Sequence, residues 1–90
     1  MIFLVDYDRP TGRTLLFKKF ADTERQRAHD ERLRLELDLF RQGLLLTRRE
    51  VVLLDANDEA ALRRTHDRYF THLPENHNVP AETEAEAAPR

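Results

Sequence analysis

The sequence predicts a single α+β domain in which a three-stranded sheet packs against two helices. Two apolar segments at the start of the chain flank a turn-forming stretch, which is typical of a β-hairpin. A long segment with helix start and stop signals follows. A third apolar segment and a second helical segment complete a ββαβα order. The chain has 90 residues, a length that allows one domain.

The hairpin is predicted at the start of the chain. Residues 2–7, IFLVDY, are apolar at both even and odd positions, so this strand should have little solvent on either face. Asp8, Pro10 and Gly12 then favour a turn, because each has backbone preferences that suit one. Residues 14–20, TLLFKKF, return as the second strand.

Residues 32–40, RLRLELDLF, fit either a strand or a helix. Leucine at every second position suggests a strand, but arginine, glutamate and leucine favour helix. Thr23 with Gln26 matches a capping box, and Gly43 is a natural stop. The segment is therefore predicted to be a helix over about 23–42.

This helix is apolar on two sides. One stripe has the helical spacing i, i+4, i+7 and i+11 and consists of Leu33, Leu37, Phe40 and Leu44. The second stripe lies almost opposite and consists of Ala28, Leu35 and Leu39. We expect the first stripe to face the sheet and the second to face outward, with packing against the last helix as the alternative.

The third strand and the last helix follow. Residues 44–56 contain the strand, most securely at 50–54, and a turn at 47–50 that divides it into two short strands is the second interpretation. Asn57 should cap the last helix, which ends before Pro74. Its inner stripe consists of Leu62, His66, Tyr69 and Leu73.

The simplest topology gives sheet order 2-1-3 with both helices on one face. The other face of the sheet would then expose Phe3, Val5 and Tyr7. An exposed apolar patch of this kind usually marks an interaction site. The predicted interface candidates are therefore the sheet-face residues and the second stripe of the first helix, namely Phe3, Val5, Tyr7, Ala28, Leu35 and Leu39.

The end of the chain differs in composition from the rest. Residues 1–73 carry a net charge of +1 and form the predicted domain. Residues 74–90 carry a net charge of −3, with three prolines and one large aliphatic residue, Val79. We expect them to form a disordered acidic tail, because such a composition buries too little apolar surface to offset its ordering entropy.

The composition excludes several classes of protein. There is no cysteine, which rules out disulfides and thiolate metal sites. No signal peptide or membrane span is recognisable. These features indicate a cytoplasmic protein, and no motif indicates a cofactor.

No catalytic or metal site is predicted. His66 lies between an arginine pair and Asp67, but it falls on the inner stripe, away from those partners, and is interpreted as structural. The spacing of His66, His72 and His77 does not match a helical metal site. The expected topology also places Asp55 at the opposite end of the sheet from Asp6 and Asp8.

Arginine accounts for 13 of the 15 basic residues. The expected topology gathers several arginines at one end of the sheet, and we name this set the arginine pole. It consists of Arg9, Arg13, Arg41, Arg48, Arg49 and Arg68. Arginine clusters can bind phosphate backbones. The sequence therefore predicts a small non-enzymatic, homodimeric protein-interaction module, with a nucleic-acid-binding regulator that uses the arginine pole as the alternative.

Overall fold

A computed structural model describes residues 1–72. The strands are β1 (Ile2–Asp8), β2 (Arg13–Phe20) and β3 (Arg49–Asp55), and the helices are α1 (Arg25–Arg41) and α2 (Glu59–Thr65). Short 3₁₀ turns at Asp22–Glu24 and Asp67–Phe70 precede α1 and follow α2. The ββαβα order is confirmed. The predicted acidic tail, residues 74–90, lies outside the described residues.

The sheet is antiparallel with β1 in the centre, in the order β2-β1-β3, as predicted. Val5 of β1 pairs with Phe17 of β2 and with Val52 of β3. The register of β1 and β2 shifts between Asp6 and Tyr7, where β2 contains one extra residue, Leu15. A β-bulge of this kind bends the strand locally.

The helices cover opposite faces of the sheet, so the prediction that both pack on one face is wrong. The odd-numbered face of β1, with Phe3 and Val5, packs against α2 and the turn after it; this core consists of Phe3, Val5, Phe17, Leu62, Tyr69 and Phe70. The even-numbered face packs against α1; this core consists of Ile2, Leu4, Phe20 and Ala28. The physical reason is that β1 is apolar on both faces, and each face gains free energy when it is covered.

The orientation of α1 is also the reverse of the prediction. Ala28 and Leu39 are buried, whereas Leu33, Leu37 and Phe40 are exposed. The small side chain of Ala28 lets the helix backbone approach Ile2, Leu4 and Phe20 closely. Both stripes have helical periodicity, so the shape of the contact with the sheet decided which one faces inward.

The ends of α1 are close to their predicted positions. Glu24, rather than Gln26, closes the N-terminus: its N–H donates to the Ala21 carbonyl at 2.9 Å, and its Oε1 accepts from the Ala21 N–H at 3.3 Å. Gly43 ends the helix as predicted, with φ of +73° and its N–H bonded to the Phe40 carbonyl.

The last helical segment is shorter than predicted. Its N-cap is Asp58, whose Oδ1 accepts from the Ala61 N–H at 2.8 Å, rather than Asn57. His66 has φ of −131° and ψ of 50°, which ends α2 and begins a 3₁₀ turn. This break brings both Tyr69 and Phe70 into the core.

Candidate functional site

Three large apolar side chains form a row on the solvent side of α1. Leu33 is 55% exposed, Leu37 45% and Phe40 70%. Their spacing of four and three residues places them on one face of the helix, over roughly 10 Å at 1.5 Å per residue. We call Leu33, Leu37 and Phe40 the outward stripe.

The turn after α1 presents a fourth exposed apolar side chain. Leu46 is 73% exposed, and its φ of 70° lies in the left-handed region, which costs a residue with a Cβ about 1 kcal/mol. The turn is closed by hydrogen bonds from the Leu46 N–H to the Arg49 carbonyl and from the Arg48 N–H to the Leu44 carbonyl. Neither packing nor backbone preference explains a leucine at this position.

The predicted interface residues lie elsewhere. Phe3 and Val5 are fully buried, and the Tyr7 ring is half-buried with its centroid 5.2 Å from that of Tyr69. Ala28 and Leu39 are buried on the sheet-facing side of α1. These side chains therefore do not form the exposed surface that the sequence predicted.

Leu35, the remaining predicted interface residue, is half-buried. It lines a shallow groove of about 200 Å³ between α1 and the sheet, together with Leu4, Leu16 and Arg34. The true exposed row was visible in the sequence as the other stripe of the same helix. The prediction that Leu33, Leu37 and Phe40 face the sheet is wrong, because these side chains are exposed and Leu39 is buried.

Acidic partners neutralise most of the arginine pole. Arg48 donates from Nε and Nη2 to the carboxylate of Asp8 at 2.7 and 3.3 Å. Arg49 donates to Oδ2 of Asp6 at 2.6 Å. Asp6 and Asp8 are both buried, so these arginines neutralise charges that the fold itself has placed inside.

The two carboxylates have opposite pKa shifts. Burial raises the pKa of Asp6, against the lowering effect of Arg49, and its Oδ1 has no hydrogen-bond partner among the described residues. The hydroxyl of Thr11 and the guanidinium of Arg48 lower the pKa of Asp8 by donating hydrogen bonds. Asp6 is therefore the carboxylate that depends most on its single arginine partner.

A second ion-pair cluster surrounds Glu50. Arg68 donates to both carboxylate oxygens of Glu50 at 2.9 Å and lies over the rings of Tyr7 and Tyr69. Arg9 lies 3.9 Å from the same carboxylate. Burial raises the pKa of the Tyr69 hydroxyl, which donates to Glu50 at 3.2 Å.

The last two arginines of the predicted set are more exposed. Arg41 lies 4.0 Å from Asp38 on α1, and Arg13 lies exposed at the start of β2. The pole is therefore a network of mixed charge, in which three of the six guanidiniums make close hydrogen bonds to a carboxylate.

His66 takes part in local contacts only within the described residues. Its Nδ1 is 2.8 Å from the Thr65 hydroxyl, and its ring stacks on Tyr69 with centroids 6.1 Å apart. Asp55 pairs with Arg25 at 3.2 Å at the other end of the sheet from Asp8. Over residues 1–72, no three histidine, aspartate or glutamate side chains are grouped in a way that could hold a metal ion.

Comparisons with known proteins give no further assignment. No family model, curated protein or solved structure matches the chain. In the part of the chain that the structure describes, no helix combines the length and apolar character that a bilayer crossing requires.

Proposed function

We propose that this protein is a protein-interaction module that self-associates through the outward stripe of α1. The observation that carries the proposal is the exposure of Leu33, Leu37 and Phe40 in one row. The fold has no need of these side chains, because α1 already covers the sheet with its opposite side.

The energetics favour an apolar contact here. Removing a large aliphatic or aromatic side chain from water gains about 1.5–3 kcal/mol if it is fully buried. The three stripe residues are about half exposed or more, and a symmetric dimer buries each of them twice. This gain must exceed the loss of translational and rotational freedom and the ordering of side chains, so a dimer of moderate affinity is expected.

The arginine pole supports the nucleic-acid alternative less well. Arginines that bind phosphate must have donors to spare, whereas Arg48, Arg49 and Arg68 already donate to Asp8, Asp6 and Glu50. Binding a phosphate backbone would place its negative charge next to these carboxylates.

The composition supports a cytoplasmic location, because a chain without cysteine suits a reducing compartment.

Charge substitutions on the outward stripe test the proposal. Sedimentation velocity at tens of micromolar should give twice the chain mass for the unmodified protein. The double variant Leu33→Glu/Leu37→Glu should sediment as a single chain with unchanged circular dichroism, because both positions are solvent-exposed within one chain.

Leu15→Glu is the matched control, because Leu15 is an exposed leucine on the β2 bulge and not part of the outward stripe. It should leave the dimer intact. Sedimentation of the unmodified protein as a single chain at every concentration would overturn the proposal, and so would a folded double variant that still dimerises.

A further inference from the structure

Two exposed charges of opposite sign border the outward stripe on the same side. At 100° per residue, Asp30 and Arg41 lie about 50° and 75° from the centre of the stripe in the same direction around α1, and both are exposed. Asp30 precedes Leu33 by one turn of the helix, and Arg41 directly follows Phe40.

This pattern distinguishes between the two ways in which a second copy of α1 can lie on the first. In a two-fold symmetric pair of antiparallel helices, one side of the stripe faces the same side of the partner in reverse order. Asp30 then lies opposite Arg41 of the other chain at both ends of the contact. In a parallel two-fold pair, one side of the stripe faces the other side of the partner's stripe, and Asp30 and Arg41 lie about 16 Å apart along the helices, so they cannot pair.

We infer that the partner of α1 is a second copy of the same helix, packed antiparallel about a two-fold axis near residues 36 and 37. The inference rests on the proposed self-association and specifies its geometry. Leu37 lies next to the axis and meets its own copy, while Leu33 lies near Phe40 of the other chain. The apolar stripe and the pair of Asp30 with Arg41 therefore have nearly the same centre.

The present partners of Asp30 and Arg41 leave both side chains free to pair in this way. Asp38 lies 4.0 Å from Arg41 within one chain, and Asp30 accepts a hydrogen bond from the Gln26 amide at 3.0 Å. Both contacts are between exposed side chains, where such pairs contribute little. Exchanging them for contacts across the dimer costs little and adds the desolvated stripe beneath.

Engineered cysteines test the direction of packing, because the chain has no cysteine of its own. Gln26 lies on the same face of α1 as the stripe, about ten residues from the axis. In an antiparallel pair it is roughly 30 Å from its own copy along the helix, which is far beyond the reach of a disulfide. Leu37→Cys should therefore form a disulfide-linked dimer under mild oxidation, and Gln26→Cys should not.

The two cysteine variants distinguish an antiparallel pair from a parallel pair and from a contact elsewhere. Cross-linking of both variants would indicate a parallel pair and overturn the inference. Cross-linking of neither, when Leu33→Glu/Leu37→Glu still separates a wild-type dimer, would overturn the inference and leave the proposed function standing. A wild-type chain that never dimerises would overturn both.

Charge reversal supplies an independent test in solution. Asp30→Arg and Arg41→Asp should each weaken self-association by about fivefold, because each turns two attractive contacts into repulsive ones. An equimolar mixture of the two variants should associate like the wild type, since each chain then offers the charge that the other needs. Unchanged association of both single variants would contradict the antiparallel geometry.

Discussion

The arginine pole and the outward stripe both stand out in the sequence, but the structure treats them in opposite ways. At the pole, Arg48 and Arg49 are held by the buried carboxylates of Asp8 and Asp6. On the stripe, Leu33 and Phe40 each have more than half of their surface in water. A surface whose groups are satisfied within the chain has little left to offer a partner, whereas exposed apolar side chains still gain free energy from one.

The largest effect on stability is expected at the pole. Arg49→Ala removes the only hydrogen-bond donor to the buried carboxylate of Asp6 among the described residues, and an unpaired buried charge should lower the free energy of unfolding by about 3 kcal/mol. Arg13→Ala, at an exposed position of the same pole, should change it by less than about 0.5 kcal/mol. Urea denaturation measures both. Equal and small effects would show that the pole is not needed for folding.

The loss in Arg49→Ala should depend on pH. Burial already raises the pKa of Asp6 above 3.8, and without Arg49 that native pKa rises further. The folded state then binds a proton at a pH where the unfolded state does not, so stability falls as pH rises through this window. The deficit of the variant relative to the wild type should therefore shrink as pH is lowered from 7 toward 3.8.

The pKa of Asp8 is lowered instead, so its contribution is lost only below about 3.8 and does not imitate this effect. A deficit that stays constant between pH 7 and 4 would contradict the account of Asp6. Denaturation of both proteins over a pH series makes the comparison.

A smaller effect is expected at the turn after α1. Leu46→Gly should raise the free energy of unfolding by about 0.5–1 kcal/mol, because glycine adopts the left-handed conformation without the Cβ penalty. Thermal melts at low protein concentration measure this. A loss of stability would show that the Leu46 side chain contributes to folding within one chain.

Glu36 lies on the other side of the outward stripe and close to the inferred two-fold axis. It would then lie near its own copy, and this like-charge contact weakens the dimer. Glu36→Gln should tighten self-association by about two- to threefold, measured by sedimentation equilibrium at low ionic strength. The gain should disappear in high salt, and a weaker dimer would place the axis elsewhere.

No binding to nucleic acid is expected. The unmodified protein should not bind mixed DNA or RNA near physiological salt in a fluorescence anisotropy titration. Micromolar binding that weakens steeply with salt, and that Arg48→Ala/Arg49→Ala abolishes in a folded protein, would contradict this expectation. The arginine pole, rather than the outward stripe, would then be the better-supported binding surface.

Much of the fold followed from the sequence. The IFLVDY segment, apolar at every position but Asp6, predicted a central strand, and the turn residues before β2 predicted the hairpin. The sheet order then followed from the short connections. These features depend on local pattern and chain reach, which a sequence displays directly.

The placement of the helices could not be predicted from the local sequence pattern. Leu33 with Leu37 and Leu35 with Leu39 have the same spacing, so periodicity could not tell which pair lies under the helix. Tertiary packing decided it, since Ala28 fits closely over Phe20 and Ile2. The end of α2 at His66 could not be predicted either, because no glycine or proline marks it.

The candidate surface was likewise only partly predictable from the sequence. The sequence indicated that one apolar side of α1 stays exposed, and the structure exposes Leu33, Leu37 and Phe40 rather than Leu35 and Leu39. The neutralisation of Arg49 by Asp6 was not predicted, because it depends on the register of β3 against β1.

The most direct test of the central claim is an NMR concentration series on the unmodified chain, from micromolar to millimolar. We predict that methyl and ring signals of Leu33, Leu37 and Phe40 shift and lose solvent accessibility together as concentration rises. The signals of Arg48, Arg49 and Arg68 should stay unchanged. Constant signals across the stripe, or shifts concentrated at Arg48, Arg49 and Arg68, would contradict self-association through the outward stripe.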